Sequence, residues 1–184
     1  MQLSDNVYTH MFHGCKLLKE PPELPAIKLK PACYMGMFMN CEQLVRTPKL
    51  PATELAPECY RSMFSNCITI KKPPELPAIK LQYACYRSMF YGCTSLEKAP
   101  YLPANTLAKY AYSDMFVNCK LIDYIKINCI KGLSDSIDSL KGWLYGVSAH
   151  GSISINRNMG KIQRKYLEKN CQRMWTYIYN DIQF

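Results

Sequence analysis

The chain has 184 residues and a net charge of +9, which favours an acidic protein surface, nucleic acid or an anionic membrane as its partner. A chain of this length forms one domain with a continuous core and is too short for two independent cores. Its apolar stretches are too short to cross a membrane and residues 1–15 lack a secretory signal, so no membrane insertion is predicted.

A phrase of the form Tyr-x-x-Met-Phe-x-x-Cys recurs at a constant interval along the chain. Its five copies begin at Tyr8, Tyr34, Tyr60, Tyr86 and Tyr112. An apolar residue follows three positions after each Cys, and Pro-x-Leu-Pro-Ala then follows in four of the copies. A fixed period without insertions predicts a solenoid, in which each unit lies on the next in the same register.

Each unit is predicted to contain one short helix and one short strand. Cys85, Met89 and Phe90 have helical spacing, which indicates one helical turn with these side chains facing inward. An Asn or Gly before the Cys of the phrase, at Asn40, Asn66, Gly92 and Asn118, tolerates a left-handed helix end. Residues 96–102 alternate like a strand, and their proline limits it to two or three residues. The predicted fold is an α/β solenoid over residues 1–133, with short parallel strands on one face and short helices on the other.

The ten cysteines are predicted to be structural thiols. Five of them form one column of equivalent positions, and Cys33, Cys59 and Cys85 form a second. The chain has no Cys-x-x-Cys pair, and its three histidines lack ligand spacing, so neither a metal site nor a cofactor is predicted. Buried free thiols are typical of a reducing compartment, and disulfides between adjacent units are the alternative.

Residues 134–184 are predicted to form a capping unit with a helix, a strand, a basic helix and a final strand. Five apolar residues at helical spacing would form its lid: Leu133, Ile137, Leu140, Trp143 and Leu144. The amino-terminal end has only residues 1–6 to cover the first unit. An uncovered unit predicts a partner, self-association or a preceding segment at that end.

Functional residues are expected among the variable positions, because the repeated positions are occupied with packing. Two variable columns are predicted to lie on the strand face, namely Glu23, Lys49, Glu75, Tyr101 and Ile127, and Glu20, Arg46, Lys72, Lys98 and Tyr124. The basic and aromatic members are the candidate partner-binding residues: Arg46, Lys49, Lys72, Lys98, Tyr101 and Tyr124. For the charges alone, a solvated surface is the alternative. Tyr101 and Tyr124 beside Lys98 form the best candidate for a binding hot spot.

A second candidate surface is the basic helix predicted over residues 160–171. Lys161, Lys165 and Lys169 are spaced along one face of it, and Arg164 and Arg173 add further charge. These residues would dock on an acidic partner or on a phosphate backbone, and binding to a phosphate backbone would weaken steeply with salt. A solvated helix face is the alternative.

The repeated phrase, together with Pro-x-Leu-Pro-Ala, resembles the BspA-like leucine-rich repeats found in gut and oral bacteria and their phages. The resemblance covers residues 6–119 and extends to the closing segments 124–126 and 142–155, and the chain departs from it at Asn156. It implies a leucine-rich repeat array of five units with a carboxy-terminal cap. Some members act as surface adhesins or in phage tail fibres.

The sequence predicts a binding protein rather than an enzyme. It has no Gly-rich phosphate loop and no histidine that recurs near the repeated nucleophile candidates, so no catalytic residue is assigned. The predicted function is that of a non-enzymatic protein-interaction module. It would act in the cytoplasm of a bacterial host, as a bacterial or phage-encoded inhibitor of a macromolecule such as a defence nuclease. The alternatives are an adhesion or receptor-binding module on an extracellular or virion surface, and a nucleic-acid binder that uses the basic helix.

Overall fold

The computed structural model describes residues 3–135 and 137–180, and its regular elements lie in the carboxy-terminal third. Strands β1 (Tyr124–Ile127), β2 (His150–Asn156) and β3 (Met174–Asn180) form a parallel sheet in that order. Helix α1 (Lys161–Lys169) connects β2 to β3. These elements form a small open α/β arrangement. No helix in the described part of the chain is long and apolar enough to span a membrane.

The segments that contain the repeated phrase are runs of consecutive turns, and the prediction of short helices there is wrong. Six such turn runs lie at residues 6–15, 32–41, 58–67, 84–93, 110–119 and 138–147. In each of them the first, fifth and ninth residues have a positive φ, between 48° and 73°. A left-handed residue at every fourth position interrupts a right-handed helix, so the chain turns repeatedly instead. The predicted left-handed conformation of the residue before the Cys is confirmed at Asn40, Asn66, Gly92 and Asn118.

Backbone hydrogen bonds join each turn run to the next. Every second N–H group donates to a carbonyl of the following run, as Phe38 donates to Met63 at 3.0 Å and Tyr34 donates to Cys59 at 3.0 Å. The intervening N–H groups close turns within the run, as Met37 does to Tyr34. The backbone therefore uses its donors between runs as well as within them, which a helix does not do.

Aromatic rings stack in two columns through the core. The Phe rings of successive runs lie 5.6 to 5.9 Å apart from Phe12 to Phe116, with interplanar angles of at most 12°. The Tyr rings from Tyr8 to Tyr112 lie 5.7 to 5.9 Å apart. The Met between them is fully buried in the inner runs, for example Met63. This parallel stacking follows from the fixed spacing of the phrase, because equivalent residues must lie above one another.

A thiol ladder accompanies the Phe column. The Sγ–H groups of Cys67, Cys93 and Cys119 each donate to the carbonyl oxygen of the Phe in the preceding run, at 3.0 Å. All ten cysteines are free thiols, so disulfides between adjacent units do not form in this structure. Each ladder thiol satisfies a donor in the core while it packs as a small apolar group.

The opposite side of each unit pairs only at isolated points, and the predicted strand over residues 96–102 is reduced to a bridge at Leu102. Single parallel bridges join Lys28 to Glu54, Lys80 to Thr106 and Leu102 to Ile127. The two prolines of each Pro-x-Leu-Pro-Ala segment lack an N–H group, so a continuous ladder cannot form there. The leucines of these segments are buried all the same, as Leu50 and Leu76 show.

The sixth turn run replaces the predicted lid helix. Leu140, Trp143, Leu144 and Val147 occupy the positions of the Tyr, Met, Phe and Cys of the phrase, and all are buried. Two extra residues precede this run. The N–H of Ala84 donates to Lys109, just before the fifth run and 25 residues on, whereas the equivalent N–H of Tyr110 donates to Ile137, 27 residues on. Helix α1 then covers the sixth run.

Gly92 offers a direct test of the turn geometry. Its φ is +72°, and a Cβ atom on it would collide with the Oδ1 atom of Asn66 in the preceding run. Gly14 has the same φ of +72° but open space around it. Gly14→Ala is therefore expected to cost about 1 kcal/mol, for the left-handed conformation alone. Gly92→Ala is expected to cost about 2 kcal/mol, because the Asn66 side chain must also move away from the added Cβ, which disturbs its hydrogen bond to Asn40. Urea denaturation measures both values, and equal losses would contradict the collision.

Candidate functional site

The sheet begins where the prolines of the repeat end. The register pairs Leu102 with Ile127, so Ile125 and Asn128 occupy the positions that Pro100 and Pro103 hold in the preceding unit. Both replacements restore an N–H group, and the Asn128 N–H donates to the Leu102 carbonyl at 3.0 Å. The side-chain amide of Asn128 also donates to the Pro103 carbonyl at 3.1 Å. A regular parallel ladder can therefore form from β1 onward.

The sequence interval from the fourth Pro-x-Leu-Pro-Ala segment to β1 is one residue shorter than the intervals between the earlier segments. One predicted surface position, Ile127, is therefore wrong. Ile127 was expected in the same exposed column as Tyr101, but its side chain is fully buried. Lys126 lies beside Tyr101 instead. A shift of one residue exchanges the two faces of a strand, so the outward face of β1 carries Tyr124 and Lys126.

The outward face of the sheet continues across all three strands. Tyr124 lies in register with Ser152 on β2, and Ser152 lies in register with Thr176 on β3. One row further, Lys126 and Ile178 flank Ser154. We call the sheet face the surface made by the outward residues Tyr101, Tyr124, Lys126, Ser152, Thr176 and Ile178. Its central strand offers the hydroxyl of Ser152, because Ser154 is fully buried, and larger side chains lie on both sides.

Tyr101 and Lys126 form the best-defined pair on the sheet face. The Lys126 ammonium lies 5.0 Å from the centre of the Tyr101 ring, within the range of a cation–π interaction. Partial burial raises the pKa of the Tyr101 hydroxyl, which therefore stays protonated and available as a donor. Tyr101 also borders a groove of about 450 Å³ whose other walls are mostly proline. Tyr101 and Tyr124 are 41% and 45% exposed, so both rings are accessible to a partner.

The predicted basic residues of the repeats lie exposed along the same side of the molecule. Arg46 approaches Glu20 of the preceding unit at 3.6 Å. Lys49, Lys72 and Lys98 form no ion pair within the described residues. These three lysines therefore present ammonium groups without an ion-pair partner among the described residues, on a proline-lined surface. Lys98 is the one nearest in sequence to Tyr101.

The basic helix lies where the sequence predicts it, but two of its predicted binding residues contact their own chain. Arg164 donates to the carbonyls of Met159 and Arg157 and lies 4.7 Å from the centre of the Tyr179 ring. Lys169 pairs with Asp135 at 2.9 Å. The other predicted residues, Lys161, Lys165 and Arg173, are exposed.

The two predicted surfaces are not brought together. Side chains alternate along a strand, so Tyr179 lies on the opposite side of β3 from Thr176 and Ile178. Arg164 of α1 contacts Tyr179, which places the basic helix behind the sheet face rather than beside it. A single small ligand cannot reach both surfaces at once.

Sequence reasoning missed Lys126, Ser152, Thr176 and Ile178. The alternation of small polar and apolar residues over residues 150–156 was the available signal, because it indicates a strand with one exposed face. No comparable pattern in the sequence indicates that the repeat interval shortens by one residue before β1. The shortening follows from the loss of one residue between Ile122 and Ile125.

The buried thiols are unsuited to chemistry. Burial raises the pKa of Cys85 and of Cys119 to about 12, so neither forms a thiolate at neutral pH. Among the described residues, no three His, Cys, Asp or Glu side chains are grouped so that they could hold a metal ion.

Comparison with known proteins adds no assignment, because no family model, no curated protein and no solved structure matches this chain.

Proposed function

We propose that the chain is a leucine-rich repeat solenoid of the BspA-like type. Three features support this proposal. The first five turn runs follow one another with a constant hydrogen-bond offset, the Phe and Tyr rings stack in continuous columns, and α1 covers the last run as a capping unit would. In such an array the strand side is the extended surface that meets partners.

The function that we propose is non-enzymatic binding of another protein through the sheet face. The observation that carries it is the pair of exposed tyrosines beside Lys126, since exposed aromatic and basic side chains dominate protein-binding hot spots. The sheet also supplies a rigid base, which lowers the entropic cost of binding.

An acidic partner suits this surface best. Lys126 and Lys98 offer cations, and the Tyr101 and Ser152 hydroxyls offer neutral donors to carboxylate oxygens. The whole chain has a net charge of +9, which would attract such a partner from a distance. The partner class that we propose is a bacterial macromolecule with an acidic surface, such as a defence nuclease, which the chain would inhibit. The free thiols fit a reducing cytoplasm.

A double substitution of the sheet face tests this function. Tyr101→Ala with Lys126→Ala is expected to weaken the affinity for a captured partner at least about tenfold, because the substitutions remove one aromatic and one cationic anchor. Both side chains are partly exposed, so the melting temperature should fall only slightly. Tyr145→Ala is the matched control, because Tyr145 is 71% exposed but lies on the sixth turn run. Affinity purification from bacterial lysate would supply the partner, and surface plasmon resonance would give both affinities.

The other functions correspond to distinct outcomes of the same experiment. Loss of all captured material after nuclease treatment would favour a nucleic-acid binder that uses Lys161, Lys165 and Arg173. Binding only to whole cells or glycans would favour an adhesion or receptor-binding module. Unchanged affinity of the sheet-face variant for a nuclease-resistant protein partner would place binding elsewhere on the molecule.

A further inference from the structure

The turn runs give the molecule two chemically different ends. The Phe12 N–H donates to the Met37 carbonyl at 2.9 Å, and the other polar group of that peptide unit, the Phe38 N–H, donates onward to Met63 at 3.0 Å. Peptide dipoles along such a column point in one direction, as they do in a helix and unlike those of a β-sheet. Five columns of this kind run side by side through the six turn runs. One end of the stack therefore presents carbonyl oxygens and the other presents N–H groups.

The N–H end is covered by the carboxy-terminal unit. The backbone N–H of Leu140 donates to the hydroxyl oxygen of Tyr166 on α1. The Trp143 indole donates to the Asn170 carbonyl at 3.0 Å, and the Gln172 side chain donates to the Leu144 carbonyl at 2.6 Å. Tyr166 is 7% exposed, so this end is closed to another chain.

The carbonyl end is open in the described part of the chain. The carbonyls of Val7, Thr9 and Met11 occupy the positions that accept a hydrogen bond in every later run, yet no backbone N–H among residues 3–135 and 137–180 donates to them. Met11 is 57% exposed, whereas its equivalent Met37 is 2% exposed.

The side chains of the first turn run form one wall of a groove. This groove has a volume of about 190 Å³, and its lining includes Tyr8, Met11, Phe12 and Leu24. The rings of Tyr8 and Phe12 each stack on the following run, and their other faces meet no ring among the described residues. Within the described residues, the first run therefore has no apolar cover on this side and no donors to these carbonyls.

We propose that the turn run at residues 6–15 is a docking surface for a turn run of another polypeptide. The occupant is a segment that carries the Tyr-x-x-Met-Phe-x-x-Cys phrase and has its N–H edge free. The structure itself shows what fits this surface, because the same surface of each later run is covered by a run of this type. The occupant would donate to the free carbonyls and stack its rings on Tyr8 and Phe12.

An intact second copy of this chain does not fit. Two carbonyl ends offer acceptors to each other and no donors, and the N–H end of a second copy is covered by α1. This docking surface is separate from the sheet face, so it neither requires the proposed function nor depends on it.

A peptide of residues 82–96 of this chain is the probe. Titration into the isotope-labelled full chain is expected to shift the carbonyl resonances of Val7 and Met11 and the ring resonances of Tyr8 and Phe12. The matched peptide carries N-methyl groups on the Tyr86 and Phe90 amides, which removes two donors and keeps every side chain. It is expected to bind at least about tenfold more weakly. Equal affinity of the two peptides would overturn the proposal.

Two variants of the full chain locate the binding. Met11→Asp places a charge under the docked run and should abolish binding of the unmodified peptide. Tyr145→Asp places the same charge on the sixth run and should leave the affinity unchanged. Resonance shifts confined to the carboxy-terminal unit, or no binding at millimolar peptide, would also overturn the proposal.

Discussion

Phe64→Ala is expected to lower the free energy of unfolding by about 3–5 kcal/mol. Phe64 is fully buried and stacks on Phe38 and Phe90, each at 5.7 Å. Truncation removes ring contacts on two sides and leaves a cavity that rigid neighbouring runs cannot close. Urea denaturation followed by tryptophan fluorescence measures the loss. Where the alanine variant is unfolded, Phe64→Leu gives a smaller loss of about 1–2 kcal/mol in the same direction.

The end of the same column provides the control. Phe12 is only half-buried, and among the described residues it stacks on Phe38 alone. Phe12→Ala should therefore cost only about 1–2 kcal/mol, a smaller loss than at Phe64. Similar losses at both positions would mean that stacking between runs is not what stabilises the core.

Stability is expected to fall steeply above about pH 9, because the buried thiols must stay protonated in the folded state. Burial raises the pKa of Cys85 and Cys119 from 9.0 to about 12. Between pH 9 and pH 12 these thiols lose their protons in the unfolded chain and keep them in the folded chain. Unfolding therefore becomes more favourable as the pH rises. The stabilisation is complete below pH 9 and is lost as the pH approaches 12. These two thiols together contribute about 3 kcal/mol per pH unit to the slope.

Cys85→Ala isolates one thiol from this effect. The next unit already has Ala111 at the equivalent position, where it is fully buried, so the substitution fits the fold. The alkaline slope of the free energy of unfolding should decrease by about 1.4 kcal/mol per pH unit. Ser65→Ala is the control, because Ser65 is also buried and its hydroxyl does not ionise in this pH range, so the slope should stay unchanged. A Cys85→Ala variant with the wild-type slope would contradict the assignment.

The repeat spacing predicted which residues meet, but not the backbone that joins them. Equivalent positions such as Phe38 and Phe64 do lie above one another, because a constant period permits only one register. The helix prediction failed for a different reason. Spacings of four and five residues between Cys85, Met89 and Phe90 bring side chains to one side in a helix, and also in a run of turns with a left-handed residue at every fourth position. The Asn and Gly residues before the Cys were the local signal for the turns.

The candidate site was predictable in part. Tyr101 and Tyr124 are exposed on the strand side, as their variable columns indicated. Lys126 could not be found from the columns, because one residue is lost before β1 and the faces of the strand exchange. The intramolecular contacts of Arg164 and Lys169 were also hidden from the sequence, since their partners Met159 and Asp135 are identified only by the three-dimensional arrangement.

The identical junctions between turn runs have a consequence for how such a protein can change its length. Each inner junction uses the same hydrogen-bond offset and the same ring contacts, as Tyr34 with Cys59 and Tyr60 with Cys85 illustrate. Removal or duplication of one whole repeat unit at the genetic level would rejoin equivalent positions and create no new kind of interface. Recombination could therefore lengthen or shorten the basic, proline-lined side by whole units, while the packing of the core, the sheet and α1 stays the same.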